Sequence, residues 1–269
     1  MKKFFIPCLI MLIFSGCVTN PLTGQMNMAF ISNTQLFAMS FTQYDDFLKE
    51  NKIVTGTSEA AMITRVGNRL AGAAQKMLAA QGKPDYFKDY KWQFTLVQDN
   101  SINAWAMPGG KIVFYTGILP VTMNETGVAV VMGHEIVHAI LNHGQQRMSA
   151  GILQQIGALG LSILTANKSP ETQALIMTAY GVSTNLAGAL PFSRKHETEA
   201  DEYGLYLMAI AGYDPDEGAV FWERMSAAGS GRTPEIFSTH PSSANRISNL
   251  KRLAPEAKKR AAQFGVMLK

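Results

Sequence analysis

The apolar positions along the chain follow two spacings. From Thr34 to about Gln81 they recur at helical intervals. In SEAAMITRVGNRLAGAAQKMLAA the residues Ala61, Ile63, Val66, Leu70 and Met77 share one face, and Ser58 with Glu59 supplies a helix start. GKPD closes this block. WQFTLVQD, residues 92–99, alternates and predicts a strand. NAWAMPGGKIVFYTG, residues 103–117, predicts two extended pieces joined at Pro108-Gly109-Gly110, the second being Ile112 to Tyr115. Together these predict a small antiparallel sheet. Residues 123–143 predict a strongly apolar helix. Between Arg147 and Arg194 the only charges are Lys168 and Glu171. Two apolar arms on either side of NKSP there predict a helical hairpin over about 150–190, packed on the domain in the first reading, with a surface resting on a membrane or a span as the alternatives, each arm being short for a bilayer span. A polar helix from about Arg194 to Ala211, another from about residue 215, and two short helices after Ser242 complete the pattern. The expected class is mainly α with a small sheet (α+β), as a single domain over 34–269.

The first residues, MKKFFIPCLIMLIFSGC, place two lysines before an apolar run too short to span a bilayer as a mature helix, then small residues and a cysteine. This resembles a bacterial lipoprotein signal over 1–16, with cleavage before Cys17 and lipid on its thiol. Residues 17–33 are turn-rich and polar and predict a tether. Val18 follows Cys17. In a Gram-negative cell the absence of aspartate there points to the outer membrane, facing the periplasm. Cys8 and Cys17 are the only cysteines, so a mature chain would hold no disulfide and could offer no thiolate to a metal. Hydrophobic residues make up 47% and charged residues 16%, which excludes the disordered class. The net charge of +4 falls to +4 − 2 = +2 without Lys2 and Lys3, and no basic stripe interleaved with aromatics is visible, so nucleic acid is not an expected partner.

The apolar helix carries the chemistry. Within it, HEIVH fits H-E-x-x-H. Residues i and i+4 lie one turn apart on one helix face, so His134 and His138 can aim ring nitrogens at one ion. Glu135 lies beside the first ligand. It cannot reach that ion from the same face, but it can reach a water there and act as general base. Two histidines and a carboxylate among Val128, Val130, Val131, Ile136, Val137, Ile140 and Leu141 would be costly to bury unless something satisfied them. A third ligand must come from elsewhere. By residue type the candidates are His143, His196, Glu197, Glu199 and His240. SRKHETEADEYG is the obvious source, because a helix there puts Glu197 and Asp201 one turn apart. Asp201 could then hold a ligand histidine in place.

The pieces NAWAMPGGKIVFYTGIL, HEIVHAILNHG, SRKHETEADEYG and STHPSSANRI, in this order over about 55–250, resemble the HtpX and CAAX-prenyl-protease family, the forty-eighth metallopeptidase family, and most of all its OMA-type branch. The resemblance implies a zincin-like peptidase domain holding one Zn2+ per chain. It implies His134, His138 and Glu197 as ligands, Asp201 as partner of Glu197, and Glu135 as the catalytic base. His240 and the arginine after it, Arg246, would sit near the metal, in a regulatory or transition-state role. His143 is expected beside a ligand or as a cap, Glu199 off the ligand face, and His196 at the surface. An edge strand over Ile112, Val113, Phe114 and Tyr115 is expected to take up substrate by backbone pairing. The implied function is an envelope endopeptidase for unfolded or misassembled proteins. The competing readings are a holdase or assembly factor with a locked or vestigial site, and a non-peptidase zinc hydrolase.

Overall fold

A computed structural model describes residues 17–184, 190–228, 234–240 and 245–268. The expected signal peptide and residues 241–244 of the last motif lie outside these described residues. The first described segment is a hairpin of β1 (Cys17–Thr19) and antiparallel β2 (Met26–Met28). Residues 17–33 were expected as a tether; this part of them is pinned to the domain instead. Asn20 accepts backbone N–H groups of Leu22 and Thr23 at 2.9 Å, Lys83 Nζ donates to the Pro21 carbonyl at 2.6 Å, and the Phe30 amide donates to Ser149 Oγ at 3.1 Å.

Helix α1 (Asn33–Glu50) begins with a capping box between Ser32 and Gln35, and α2 (Ser58–Ala80) begins at Thr57, whose hydroxyl accepts the Ala60 amide. Three strands follow, β3 (Gln93–Val97), β4 (Ala104–Met107) and β5 (Lys111–Tyr115), ordered β3-β5-β4 in a three-stranded sheet. β4 and β5 form the expected antiparallel hairpin, but β3 and β5 run parallel, so the sheet is mixed rather than antiparallel. The physical reason lies in β5. Ile112 and Phe114 join the main core under α2, while Val113 packs with Tyr44 of α1 and Val97 on the other face. A strand buried on both faces belongs in the middle of a sheet. The residues Ile112 to Tyr115, expected as an edge strand, are therefore the central strand; the edges are β4 and β3, the latter bridged by Ile53 at Val97.

After a short turn of helix, α3 (Leu119–Thr122), Asn124 caps α4 (Glu125–Ile140) by accepting the Gly127 amide at 3.0 Å. Every residue of α4 from Gly127 to Ile140 is buried. It is enclosed by α2, β4, α7 (Leu190–Ile210) and α8 (Glu217–Ala228). α9 (Ile236–Thr239) and α10 (Arg246–Gln263) complete the chain. α10 is one helix through Pro255 where two short helices were expected. The lost backbone bond is offset by a buried face of Leu250, Leu253, Ala254, Ala257 and Ala261.

The predicted hairpin is present as α5 (His143–Leu164) and α6 (Pro170–Thr184). It is not packed as expected. Only the root of α5 is buried, α6 has no buried residue, and Leu159, Ile163, Leu164 and Leu175 are more than 60% exposed. No helix among the described residues is long and apolar enough to cross a membrane.

Helices α4 and α7 cross at two glycines. A Cβ at Gly133 would lie 2.9 Å from the Gly204 carbonyl oxygen, and one at Gly204 would lie 3.0 Å from the His134 backbone nitrogen. Both obstacles are backbone and cannot swing aside. Gly204→Ala should therefore force the helices apart, costing about 1–3 kcal/mol in denaturant unfolding and weakening metal binding as well. Unchanged stability and unchanged metal affinity would show that the crossing tolerates more space than its contacts indicate.

Candidate metal centre

The α4–α7 crossing brings three side chains to one point, and the end of α9 adds a fourth. His134, His138, Glu197 and His240 each offer a ligand atom, and these atoms all lie within 4.8 Å of one another. The separations are those of a coordination polyhedron. His134 Nε2 lies 3.1 Å from His138 Nε2 and 3.3 Å from Glu197 Oε2, and His138 Nε2 lies 3.4 Å from Glu197 Oε1. For ligands about 2.0–2.1 Å from an ion, a tetrahedral edge is about 3.3–3.4 Å. His240, at the end of α9, puts Nδ1 3.2 Å from His134 Nε2 and 3.2 Å from both Glu197 oxygens, and Nε2 3.4 Å from Glu135 Oε1.

The residues fit a metal ion on chemistry as well as geometry. All four, and Glu135, are 5% exposed or less. Glu135 Oε1 has no hydrogen-bond partner, an expensive condition for a buried carboxylate unless a ligand or water completes it. Burial raises the Glu135 pKa, against the opposing pull of His240 and His134. Burial and the neighbouring His134 hold His138 well below its usual value and so neutral. At Glu197 burial would raise the carboxyl, but hydrogen bonds from His134 and His240 outweigh it and keep it ionised. At His134 burial would lower the pKa, but Asp201 and Glu197 outweigh it and raise it to about 9.

The ligand-bearing face is braced from behind. Asp201 Oδ1 lies 3.0 Å from His134 Nδ1, which leaves Nε2 for the ion. Arg246 Nη2 donates to the same Asp201 oxygen at 2.6 Å, and its guanidinium lies 3.3 Å above the Trp222 ring. Trp222 escaped sequence reasoning, because nothing in the apolar pattern of α8 marks it as a platform. Asn142, in the left-handed region at φ 51° and ψ 41°, breaks the helix after α4 and starts α5 at His143. His143 is thereby turned back under His138, their Nδ1 atoms 2.9 Å apart. Its other nitrogen lies 3.1 Å from Glu199. His196, expected at the surface, is buried: its ring lies flat on His143 at 4.0 Å, and Nε2 meets Gln146 Oε1 at 3.1 Å. Helical phase alone could not place it, because α5 covers that side of α7.

A family model described as Peptidase family M48 matches residues 58–254. The chain belongs to peptidase family M48. Among M48 relatives, it is 34% identical over 186 residues to the mitochondrial metalloendopeptidase OMA1 of Schizosaccharomyces pombe, an alignment covering 68% of this chain and 51% of that protein. It is 30% identical over 254 residues to the mitochondrial metalloendopeptidase OMA1 of Homo sapiens, covering 91% and 47%. The beta-barrel assembly-enhancing protease of Escherichia coli is 33% identical over 180 residues, covering 64% of this chain and 36% of that protein. The chain thus spans about half the length, or less, of the relatives it matches.

In M48 terms, the tripod of His134, His138 and Glu197 would hold the metal. Bound there, the ion would lower the pKa of a water and polarise a carbonyl. With its pKa raised to about 9, His134 is protonated in the metal-free chain at neutral pH, and a ligand must be neutral. Metal loading at pH 7–8 should release about one proton per ion, and affinity should fall as pH drops below about 9. Calorimetry in two buffers of different ionisation enthalpy measures this. Zero proton release would mean that His134 is already neutral.

Proposed function

We propose that this chain is a zinc endopeptidase of the bacterial cell envelope, anchored by lipid on Cys17, that cleaves unfolded or misassembled proteins. The observation that carries this reading is Glu135: a buried carboxylate with one oxygen in no hydrogen bond, 3.4 Å from His240 Nε2, beside three nitrogen and oxygen donors at tetrahedral separations. A pure binding module has no use for such a base. Three hard or borderline donors without a thiolate suit Zn2+. In the reaction, Glu135 takes the proton of the attacking water and passes it to the leaving amine. The names of the M48 relatives, metalloendopeptidase and assembly-enhancing protease, support peptide hydrolysis and a quality-control role. For the anchor, support comes from position: β1, which begins at Cys17, pairs with β2, and β2 rests on α5, the helix with the exposed apolar stripe. Lipid and stripe would then lie near one another at a bilayer surface.

His240 gives this reading a regulatory side. Its Nδ1 lies 3.2 Å from His134 and Glu197, and its second nitrogen reaches Glu135. Placed so, it fills the position that a water or substrate needs. Turnover requires it to withdraw, so this arrangement is the closed state of an active enzyme. A permanently locked holdase would keep the same contacts without needing Glu135. Arg246 commits Nη2 to Asp201 but keeps Nε and Nη1 buried without a hydrogen-bond partner, so it stays beside His240 as a candidate oxyanion donor.

Substrate would add to β4. Tyr115 donates to the Asn103 carbonyl, so by antiparallel alternation Ala106 turns its backbone groups away from β5, toward the open side of the sheet. β4 also touches α4, which carries the base.

Two experiments follow. With an unfolded model protein as substrate, Glu135→Gln should lower cleavage about 100-fold or more with zinc retained, and His240→Ala should raise it several-fold. Equal rates for wild type and Glu135→Gln would remove the peptidase reading, and loss of activity in His240→Ala would remove the gate. Separately, Ala106→Pro should reduce turnover about five- to tenfold, the worth of one lost backbone hydrogen bond, with metal content unchanged. Full activity in that variant would show that substrate does not pair with β4.

A further inference from the structure

On the far edge of the His138 ring lies a second polar cluster that the reaction does not use directly. His143 is fully buried, with Nδ1 2.9 Å from His138 Nδ1 and Nε2 3.1 Å from Glu199 Oε2. At that distance one Nδ1 must donate and the other accept. If His138 holds the ion through Nε2, its proton is on Nδ1 and donates. His143 Nδ1 is then the acceptor, and its own proton sits on Nε2, facing the Glu199 carboxylate. One tautomer at each ring satisfies all these contacts.

The same assignment runs through the supporting residues. Gln146 Nε2 donates to the Leu141 carbonyl at 2.8 Å, which turns its Oε1 toward His196 Nε2 at 3.1 Å. His196 so held stacks on His143, ring planes 10° apart, and fixes the plane in which His143 meets His138. Lys195 Nζ lies 3.7 Å from Glu199 Oε1 on the outer side. The two ligand histidines are thus backed from one helix: His134 by Asp201 directly, His138 by Glu199 through an intervening histidine.

We propose that His143 and Glu199 are positioning residues for His138, a two-step relay that fixes its tautomer and aims Nε2 at the metal. This rests on the zinc-site reading above. In the relay, a neutral ring can do what a carboxylate does for His134, and it keeps a second anion one residue further from the ion. Hydrogen bonds that fix a metal-binding histidine change affinity about 10–100-fold when removed.

The test is zinc affinity of the full chain by chelator competition, for wild type, His143→Phe and His143→Gln. Phenylalanine keeps a flat ring against His196 and removes both nitrogens. Glutamine loses the stacking ring, but its amide oxygen can accept from His138 and its NH2 can donate to Glu199. The relay predicts affinity about 10–100-fold weaker for His143→Phe and largely restored in His143→Gln. The reverse order, or His143→Phe binding like wild type, would reduce His143 to packing and overturn the proposal. Should either variant fail to fold, ring 15N shifts of the zinc-loaded wild type decide alone: a proton on His143 Nε2 supports the relay, and one on Nδ1 overturns it. A wild-type chain that binds no zinc would instead remove the zinc-site reading itself.

Discussion

The close crossing of α4 and α7 at Gly133 and Gly204 is the constraint on which the rest of the structure depends. It brings two histidines from one helix and a glutamate from another to within 3.1–3.4 Å, in a place closed to water. In the metal-free chain the Glu197 carboxylate is balanced by His134, whose pKa, against burial, it and Asp201 raise to about 9; a bound cation would take over that role. The apolar character of α4 follows directly. The helix is buried on all sides because α2, β4, α7 and α8 must all press on it to hold that geometry. Its polar residues are the floor of a site, and the hydrophobic residues around them raise the Glu135 pKa and exclude competing water.

From this crossing outward, each polar group is held by another. Asp201 orients His134, Arg246 holds Asp201, and Trp222 supports Arg246. On the other ligand, His143, Glu199, His196 and Gln146 form a parallel arrangement. α9 is only one turn long and carries His240 into the cluster at its end, where a small displacement of a short element would open or close the fourth position.

Much of this was legible in the sequence. The H-E-x-x-H helix, the Glu197–Asp201 turn, the β4–β5 hairpin and the positions of most helices all follow from periodicity and spacing, since these depend on local geometry. What failed depended on long-range packing. The alternation of residues 92–99 predicts a strand but not that it pairs parallel with β5. The continuous apolar run Ile112-Val113-Phe114 was the available signal that β5 is central. His196 lies off the Glu197 face of its helix, and only the arrival of α5 buries it. The hairpin of α5 and α6 was expected to be packed because it is apolar, yet its charge-poor arms remain largely exposed. Residues 17–33 have the composition of a linker, but they hold to the domain through single contacts from Lys83 and Ser149 that no local pattern announces.

In the proposed function, His134, His138 and Glu197 together hold one zinc ion. X-ray absorption at the zinc edge, on the full chain and on Glu197→Ala, tests it most directly. The account predicts one zinc per chain, with two or three imidazole nitrogens and a carboxylate oxygen at about 2.0–2.2 Å, and loss of that oxygen with most of the metal in Glu197→Ala. A chain that takes up no zinc, or a zinc environment unchanged by Glu197→Ala, would contradict it.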